Sequence, residues 1–367
     1  AVAEAAERVR AERQLLASEC RAALEAAEAE RAAAAAERSA LARERVKLLQ
    51  HLQALAKSGG TSPRGPEPGT GGPAPARVLV LGGDTEASAL QTTEMLNPLT
   101  MTFTPGPKMG SRRTGCAVAV LDAHRIMVLG GSDGPRPGPG VSHWATTEVL
   151  DLRTARFAPG PTMASCRSSC AAAMLDADRL LVAGGFDGSS HLDSTEVLEL
   201  AAMSFAPGPS MASRRSGCAA ARLDERRLLV VGGRDGAGPL ASSEVLELPG
   251  LAFAPGPSLR AERCRCAAAM LDGRRLLVLG GNDSFAALST TEVLDLAAMA
   301  FEPGPGMASR RACCAVAALE PGSLLVLGGF SRPSRLDTTE ILDLPAMAFE
   351  PGPRMRSPRA ACAAVAW

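Results

Sequence analysis

Short runs of apolar residues alternate with breaks rich in glycine and proline over residues 77–367. In one representative stretch, the apolar runs cover residues 266–271, 275–280, 291–296 and 299–302. Runs of this length are too short for helices and are typical of strands. The breaks carry Asp-Gly, Gly-Gly or Pro-Gly-Pro, where glycine allows unusual backbone angles and proline cannot donate to a strand ladder. The pattern therefore predicts a unit of four short strands.

The same unit recurs along the chain with a regular period. Each copy combines an Arg-x-x-Cys motif, an apolar run ending in Gly-Gly, a Thr/Ser-Glu pair, a Phe and then Pro-Gly-Pro. The doublets fall 48, 54, 48, 48 and 48 residues apart, and they begin at Gly82, Gly130, Gly184, Gly232, Gly280 and Gly328. A period of about 48 residues is in the range of four-stranded propeller blades. We therefore predict an all-β, six-bladed β-propeller over residues 77–367.

The two ends of this propeller are predicted to share one blade. The chain enters at Arg77 in the run Val78-Leu79-Val80-Leu81, which precedes a Gly-Gly doublet and so corresponds to the second strand of a unit. The missing first strand corresponds to the last residues, 359–367. The C-terminal strand would then complete the first blade and close the ring, which removes exposed sheet edges.

The repeat resembles the kelch repeat over about four fifths of the chain. The shared features are Gly-Gly after an apolar strand, Ser/Thr-x-Glu-Val, an aromatic residue seven positions after a strand end, and Arg-Ser-Gly before the next strand. Kelch repeats usually carry Tyr and then Trp, whereas this chain has smaller apolar residues that we expect to fill the same contacts between blades. They are Leu96, Leu150, Leu198, Leu246, Leu294 and Leu342, followed by Phe103, Phe157, Phe205, Phe253, Phe301 and Phe349.

The resemblance implies a binding role for one face of the propeller. In kelch proteins, the face that carries the loops after the second and fourth strands commonly receives partner peptides. We therefore predict a protein-protein interaction scaffold that binds a protein or an acidic peptide. The alternative is a substrate-recognition subunit of a ubiquitin ligase, as many kelch proteins are when fused to a BTB domain, with the adaptor domain outside this chain.

Enzymes also occur on kelch propellers, and galactose oxidase is one relative in fold. This chain contains no Tyr, which excludes a copper site built on a tyrosyl radical. Its four histidines are scattered, so a nucleophile, a base and an acid cannot be assembled from them; they are His51, His124, His143 and His191. An enzyme is the least favoured class, and we predict no cofactor and no metal.

Six of the ten cysteines occupy one position of the repeat: Cys116, Cys170, Cys218, Cys266, Cys314 and Cys362. Equivalent positions on neighbouring blades lie farther apart than the ~7 Å Cα separation that a disulfide allows. The pattern therefore indicates small buried side chains with free thiols, and hence a reducing compartment. Redox sensitivity and metal binding are the less favoured alternatives.

The charge balance gives no bulk reason to bind nucleic acid or anionic lipid, because 39 Lys and Arg residues match 39 Asp and Glu residues. No apolar run approaches the roughly 18 residues that a membrane-spanning helix needs. The sequence also begins without Met and without a signal-peptide core. We expect a soluble protein that is cytoplasmic, or else nuclear, with neither nucleic acid nor membrane as partner.

Residues 1–57 contain neither Gly nor Pro and are dominated by Ala, Glu and Arg, which predicts one long α-helix of about 85 Å. Leu41, Leu48 and Leu55 keep a seven-residue spacing, but the middle of the segment offers mainly Ala. Two interpretations stand, a weak coiled coil that forms a homo-oligomer and an Ala-rich tether. Residues 58–76 are rich in Gly and Pro and are predicted to be a linker.

Six arginines open the predicted inner strands and must surround the mouth of the central channel: Arg113, Arg167, Arg215, Arg263, Arg311 and Arg359. One glutamate per unit begins the third strand: Glu94, Glu148, Glu196, Glu244, Glu292 and Glu340. The two backbones lie about 10 Å apart, a gap that the long side chains can largely close. Either each blade contains a buried Arg–Glu pair, or some arginines keep donors free for the carboxylate of a partner.

A second candidate contact is the loop over residues 131–146. Its six-residue insertion explains why the second and third Gly-Gly doublets lie 54 residues apart, and the others 48. It presents His143 and Trp144 next to a run of Gly and Pro. Trp is enriched among binding hot spots, and loops often carry function. We predict that Trp144 either contacts a partner or folds back onto the blade as a cap.

Overall fold

The computed structural model describes residues 77–367, apart from positions 136, 137, 139, 249 and 321 and the side chain of Glu320. This range forms six four-stranded antiparallel sheets and one two-stranded hairpin. The predicted all-β, six-bladed propeller is therefore confirmed. The helix and weak homo-oligomer predicted for residues 1–57, and the linker predicted for 58–76, lie outside the described residues. No helix among the described residues is long and apolar enough to cross a membrane.

The strands follow one another blade by blade. The first blade begins with β1 (Val78–Leu81), β2 (Thr93–Asn97) and β3 (Thr102–Pro105). The second contains β4 (Ala117–Asp122), β5 (Arg125–Leu129), β6 (Thr147–Asp151) and β7 (Arg156–Pro159). The third contains β8 (Ala171–Met174), β9 (Arg179–Ala183), β10 (Thr195–Glu199) and β11 (Ser204–Pro207).

The remaining blades repeat this arrangement. The fourth contains β12 (Ala219–Arg222), β13 (Arg227–Val231), β14 (Ser243–Glu247) and β15 (Ala252–Pro255). The fifth contains β16 (Ala267–Asp272), β17 (Arg275–Leu279), β18 (Thr291–Asp295) and β19 (Ala300–Pro303). The sixth contains β20 (Ala315–Glu320), β21 (Ser323–Leu327), the hairpin β22 (Phe330–Ser331) and β23 (Ser334–Arg335), then β24 (Thr339–Asp343) and β25 (Ala348–Pro351).

The last strand, β26 (Ala363–Ala366), closes the ring in the predicted way. It pairs with β1 in antiparallel register, with Val78 opposite Ala366 and Leu81 opposite Ala363. Arg77 and Trp367 extend the ladder by exchanging two backbone hydrogen bonds of 3.1 Å. The first blade is therefore built from both ends of the propeller.

The second strand of each blade is apolar on both faces because a neighbouring blade covers each face. In β13, all four residues from Leu228 to Val231 are 0% exposed. Leu229 and Val231 pack with Leu276 of the fifth blade, whereas Leu228 and Val230 pack with Leu181 of the third. Alternate residues of the strand thus face opposite neighbouring blades, which is why the apolar run is continuous.

The smaller apolar residues predicted to replace Tyr and Trp do lie between blades. Leu246, from β14, packs in the cluster shared by the third and fourth blades. Phe253 lies against the same cluster, and Phe301 occupies the cluster shared by the fourth and fifth. Each of the six clusters joins two adjacent blades, so the core is a ring of interfaces.

The Thr/Ser-Glu and Pro-Gly-Pro motifs of one unit meet in the same blade. In the third blade, the Thr195 hydroxyl donates to the Pro209 carbonyl at 2.7 Å, and the Gly208 amide donates to the Thr195 carbonyl at 3.0 Å. A Cβ on Gly208 would overlap the Thr195 hydroxyl oxygen. Glycine is therefore required between the two prolines because the third strand passes so close.

The Gly-Gly doublets connect each blade to the next one. The first glycine adopts a left-handed conformation, with φ between +56° and +63° in all six doublets. The second glycine donates its amide to the carbonyl of the next inner-strand arginine at 2.8–2.9 Å, in all six blades. At Gly184, a Cβ would overlap the Arg215 carbonyl oxygen.

The substitution Gly184→Ala tests this contact. We expect it to lower the free energy of unfolding by at least about 2 kcal/mol, because a side chain at positive φ is strained and would displace the Arg215 carbonyl. Gly236→Ala is the matched control, since no atom lies within 4 Å of its added Cβ. Urea unfolding should show the control unchanged or up to about 1 kcal/mol more stable. Equal stability of the two variants would contradict the contact.

Candidate binding site at the propeller mouth

The six inner-strand arginines are buried and paired. Arg215 is 0% exposed, and its guanidinium donates to the Glu244 carboxylate at 3.1 and 3.2 Å. It also donates to the Gly232 carbonyl at 2.9 Å and to both the carbonyl and the hydroxyl of Ser242. The arrangement returns in every blade, with pairs Arg113–Glu148, Arg167–Glu196, Arg215–Glu244, Arg263–Glu292, Arg311–Glu340 and Arg359–Glu94 at 2.7–3.1 Å.

Each glutamate also holds the loop that enters its blade. The Glu244 carboxylate accepts the backbone amides of Ala212 at 2.7 Å and Ser213 at 3.0 Å. These two residues belong to the connection between the third and fourth blades. Both carboxylate oxygens of Glu244 therefore accept hydrogen bonds from within the protein.

The sequence left two alternatives for the arginine ring, and the structure shows the paired one. The six side chains are at most 1% exposed, so they offer no accessible donor to a partner carboxylate. Two of them, Arg263 and Arg359, bind their glutamate through a terminal nitrogen and leave a buried Nε without a partner. These buried pairs join the blades, and none of the six arginines presents its guanidinium to the surface.

A closed ring of backbone hydrogen bonds lies just beyond these arginines, on the propeller axis. Six residues, each two positions after an inner-strand arginine, pass one amide to the carbonyl of their neighbour at 2.6–2.9 Å: Gly115, Ser169, Gly217, Arg265, Cys313 and Ala361. All six have φ between +51° and +63°. We term this set the axial ring. Its backbone is uniform, whereas its side chains differ from blade to blade.

Two further positions per blade surround the axial ring, and their side chains also vary. The residue after each Gly-Gly doublet pairs with the chain just before the inner strand of its own blade: Asp84, Ser132, Phe186, Arg234, Asn282 and Phe330. Each of these faces a residue of the following loop: Ala89, His143, His191, Pro239, Ala287 and Arg335. We call these residues and the axial ring together the mouth.

The larger cavity of the mouth, of about 650 Å³, lies over the sixth, first and second blades and reaches Ser169 of the third and Arg265 of the fifth. It is lined by Arg265, Arg332 and Arg335 and by one acidic residue, Asp84. Asp84 accepts hydrogen bonds from the Thr114 hydroxyl at 2.7 Å and from Arg335 at 2.7 Å. Burial raises the pKa of Asp84 above its usual value, although Thr114 and Arg335 oppose the shift. The cavity therefore carries an excess of positive charge.

A smaller cavity of about 230 Å³ lies between the third and fourth blades and shares Arg265 with the larger one. Phe186 forms one wall, and its ring centroid lies 5.4 Å from that of His143 and 5.2 Å from that of His191. Each histidine holds a serine hydroxyl through Nδ1, Ser168 at 2.9 Å and Ser216 at 2.8 Å. The mouth thus combines an aromatic wall with hydroxyl and guanidinium donors.

The structure separates the two residues predicted from the inserted loop. His143 lines the mouth, whereas Trp144 lines neither cavity. The Trp144 backbone occupies a position that is leucine in the other units, and its carbonyl accepts the Arg167 amide at 3.1 Å. Its half-buried indole donates to the Arg112 carbonyl at 3.2 Å, which is the contact expected of a cap.

The repeated cysteines are buried free thiols, as the repeat pattern predicted. Burial raises their pKa, to about 11 for Cys170 and Cys266 and to about 12 for Cys116 and Cys362. Within the described part of the chain, no group of three or more His, Cys, Asp or Glu side chains could hold a metal ion.

Reasoning from the sequence missed most of the mouth. Phe186, Arg234, Arg265 and Arg335 were not singled out, because the repeat was read for the residues that its copies share. The signal that could have identified them is variation between the copies of the repeat. These residues flank invariant glycines and arginines at fixed offsets, yet their side chains change from unit to unit.

The fold and the mouth define a six-bladed β-propeller whose variable residues converge on one end of the axis. Comparison with protein-family models gives no match, and comparison with curated proteins gives none either. The inference of function therefore rests on the geometry and on the sequence motifs.

The pair in the fourth blade gives a direct test of the structural role. We expect Arg215→Ala to lower the free energy of unfolding by about 3–5 kcal/mol, because it leaves Glu244 buried without its charge partner. Arg214→Ala is the control, since that side chain is 63% exposed and lies 3.8 Å from Asp193. We expect the control to stay within about 0.5 kcal/mol of wild type in urea unfolding. A loss below about 1 kcal/mol for Arg215→Ala would contradict the assignment.

The two mouth histidines predict a dependence of stability on pH. Desolvation lowers the pKa of both His143 and His191 from the usual 6.5, so the folded state binds fewer protons than the unfolded state. Stability therefore falls as the pH drops below that value.

We expect wild type to lose more stability than the His143→Asn, His191→Asn double variant when the pH is lowered from about 7 to about 5.5. Asparagine keeps a polar group near Ser168 and Ser216 but does not titrate. Comparing the two proteins cancels the titration of all other groups. Equal losses in urea unfolding at the two pH values would refute the prediction.

Proposed function

We propose that this chain is a protein-interaction module that binds an acidic segment of a partner protein at the mouth of a kelch-type propeller. The observation that carries the proposal is the division of the repeat into fixed and variable positions. The fixed residues hold the blades together, and the variable ones surround two adjacent cavities at one end of the axis. Such a division is typical of a scaffold that presents a binding site on loops.

The charge of the mouth supports an acidic ligand. Four arginines line the two cavities, and the single aspartate there is already paired with one of them; they are Arg234, Arg265, Arg332 and Arg335. A concave surface of one sign focuses the field and attracts the opposite charge. The formal net charge of the chain is zero, so this potential is local to the mouth.

The kelch identity of the repeat belongs to the same proposal. It is supported by the Gly-Gly, Thr/Ser-Glu and Pro-Gly-Pro motifs, each of which has a structural reason in the blades. A substrate-recognition role in a ubiquitin ligase stays a prediction, and it would use the same surface.

Selection from a library of unmodified random peptides tests the proposal with the full chain. We expect the enriched peptides to be acidic, and their affinity to fall as salt is raised. Arg265→Glu should weaken binding at least about tenfold, because it reverses a charge at the centre of the mouth. Arg226→Glu is the control, since this exposed arginine lies in the turn between β12 and β13, at the opposite end of the blade.

Two outcomes would contradict the proposal. One is that the enriched peptides bind Arg265→Glu as well as wild type. The other is that binding is lost in Arg226→Glu, which would place the site on the opposite face.

A further inference from the structure

The smaller cavity of the mouth is lined by positively charged and polar side chains beside one aromatic ring. Arg234, Arg265, His191, Ser216 and Phe186 line it, and no Asp or Glu does. Since one water occupies about 30 Å³ in the liquid, a cavity of about 230 Å³ has room for a group of several heavy atoms.

No described carboxylate directly contacts the two guanidinium groups of this pocket, although Asp84 acts on Arg265 at longer range. Neither Arg234 nor Arg265 forms an ion pair with any described residue. The Nε of Arg234 is buried and has no hydrogen-bond acceptor. A buried donor without an acceptor is destabilising, and a ligand with anionic oxygens would supply what is missing.

Two aspartates within electrostatic reach of His191 each bind the backbone of their own loop through Oδ1. Asp187 accepts the amides of Ser189 and Ser190 at 2.7 and 2.8 Å. Asp235 accepts the amides of Ala237 and Gly238 at 2.7 and 3.0 Å. Both carboxylates thus close their own loops, and neither lines the pocket.

Arg265 is also held in a conformation that an arginine rarely adopts. Its φ is 56°, and the equivalent positions of the second and fourth blades are the glycines Gly115 and Gly217. A side chain here costs conformational free energy that glycine would not. Ser169, Cys313 and Ala361 adopt the same conformation, so this strain belongs to the whole axial ring.

We propose that this pocket binds a phosphate dianion carried by a side chain of the partner peptide, an inference that rests on the proposed function. Two fixed guanidinium charges are matched by a phosphorylated serine, which carries about two negative charges at neutral pH, and not by a carboxylate, which carries one. The planar guanidinium donors suit the phosphate oxygens. The Ser216 hydroxyl and the His191 ring, 2.8 Å apart, add polar groups to the same wall.

Binding of four probes to the full chain tests the proposal. The probes are the blocked tripeptides Gly-phosphoserine-Gly, Gly-Glu-Gly and Gly-Ser-Gly, and inorganic phosphate. Phosphorus NMR follows the phosphates directly, and competition against the phosphorylated tripeptide measures the others. We expect the phosphorylated tripeptide to bind at least about tenfold more tightly than the glutamate tripeptide and inorganic phosphate, and the serine tripeptide not to compete.

Three variants locate the site. Arg265→Gly restores the residue found in two other blades, so we expect a stable protein that binds the phosphorylated tripeptide at least about tenfold more weakly. Arg234→Gln should weaken binding similarly. Arg226→Gln, on the opposite face, should bind like wild type. Thermal unfolding of each variant separates lost binding from lost folding.

The assignment is overturned if the glutamate tripeptide or inorganic phosphate binds as tightly as the phosphorylated tripeptide. It is also overturned if no phosphate probe binds, or if binding survives in both Arg265→Gly and Arg234→Gln. Unmodified acidic peptides can still bind the mouth in any of these cases. The proposed function would then stand, and only the phosphate ligand would be rejected.

Discussion

Every boundary between two blades depends on one buried arginine. Its carbonyl accepts an amide from the glycine doublet of the preceding blade, and its own amide donates to a loop carbonyl of that blade. Its guanidinium binds the glutamate of the following blade, as Arg215 does with Glu244, and that glutamate holds the connecting loop. One residue therefore links the main chains of two blades, which explains why Arg, Glu and Gly-Gly return together in each unit.

This fixed frame leaves other positions free to vary. The axial ring is joined by backbone atoms, so it accepts Gly115, Arg265 or Cys313 without changing its hydrogen bonds. The side chains of the axial ring consequently take no part in these backbone hydrogen bonds. Chemical specificity can therefore reside in Arg234 or Phe186 of individual blades, while six similar units provide the stability.

Repetition made the fold predictable, and the same repetition concealed the site. Each strand and turn occurs in six copies, so a boundary that is uncertain in one copy is clear from the others. Blade number, strand order and closure by β26 therefore followed from the sequence. The arginines drew attention because they repeat, yet burial at 0–1% exposure makes them structural. The small hairpin of the sixth blade, Phe330–Ser331 with Ser334–Arg335, was not foreseen, because the described residues of the other five blades show no such hairpin. Arg265 could not be placed on the axis from sequence alone, since its location depends on ring closure.

Native-state hydrogen exchange of six glycine amides tests most directly whether the arginine-centred contact closes every boundary. The amides belong to Gly83, Gly131, Gly185, Gly233, Gly281 and Gly329, which donate to the six arginine carbonyls. If each boundary is closed in the same way, all six should exchange only through global unfolding, with the same free energy of opening. An amide that opens with a free energy lower by more than about 1 kcal/mol, above all Gly83 or Gly329 beside the closing blade, would contradict this account.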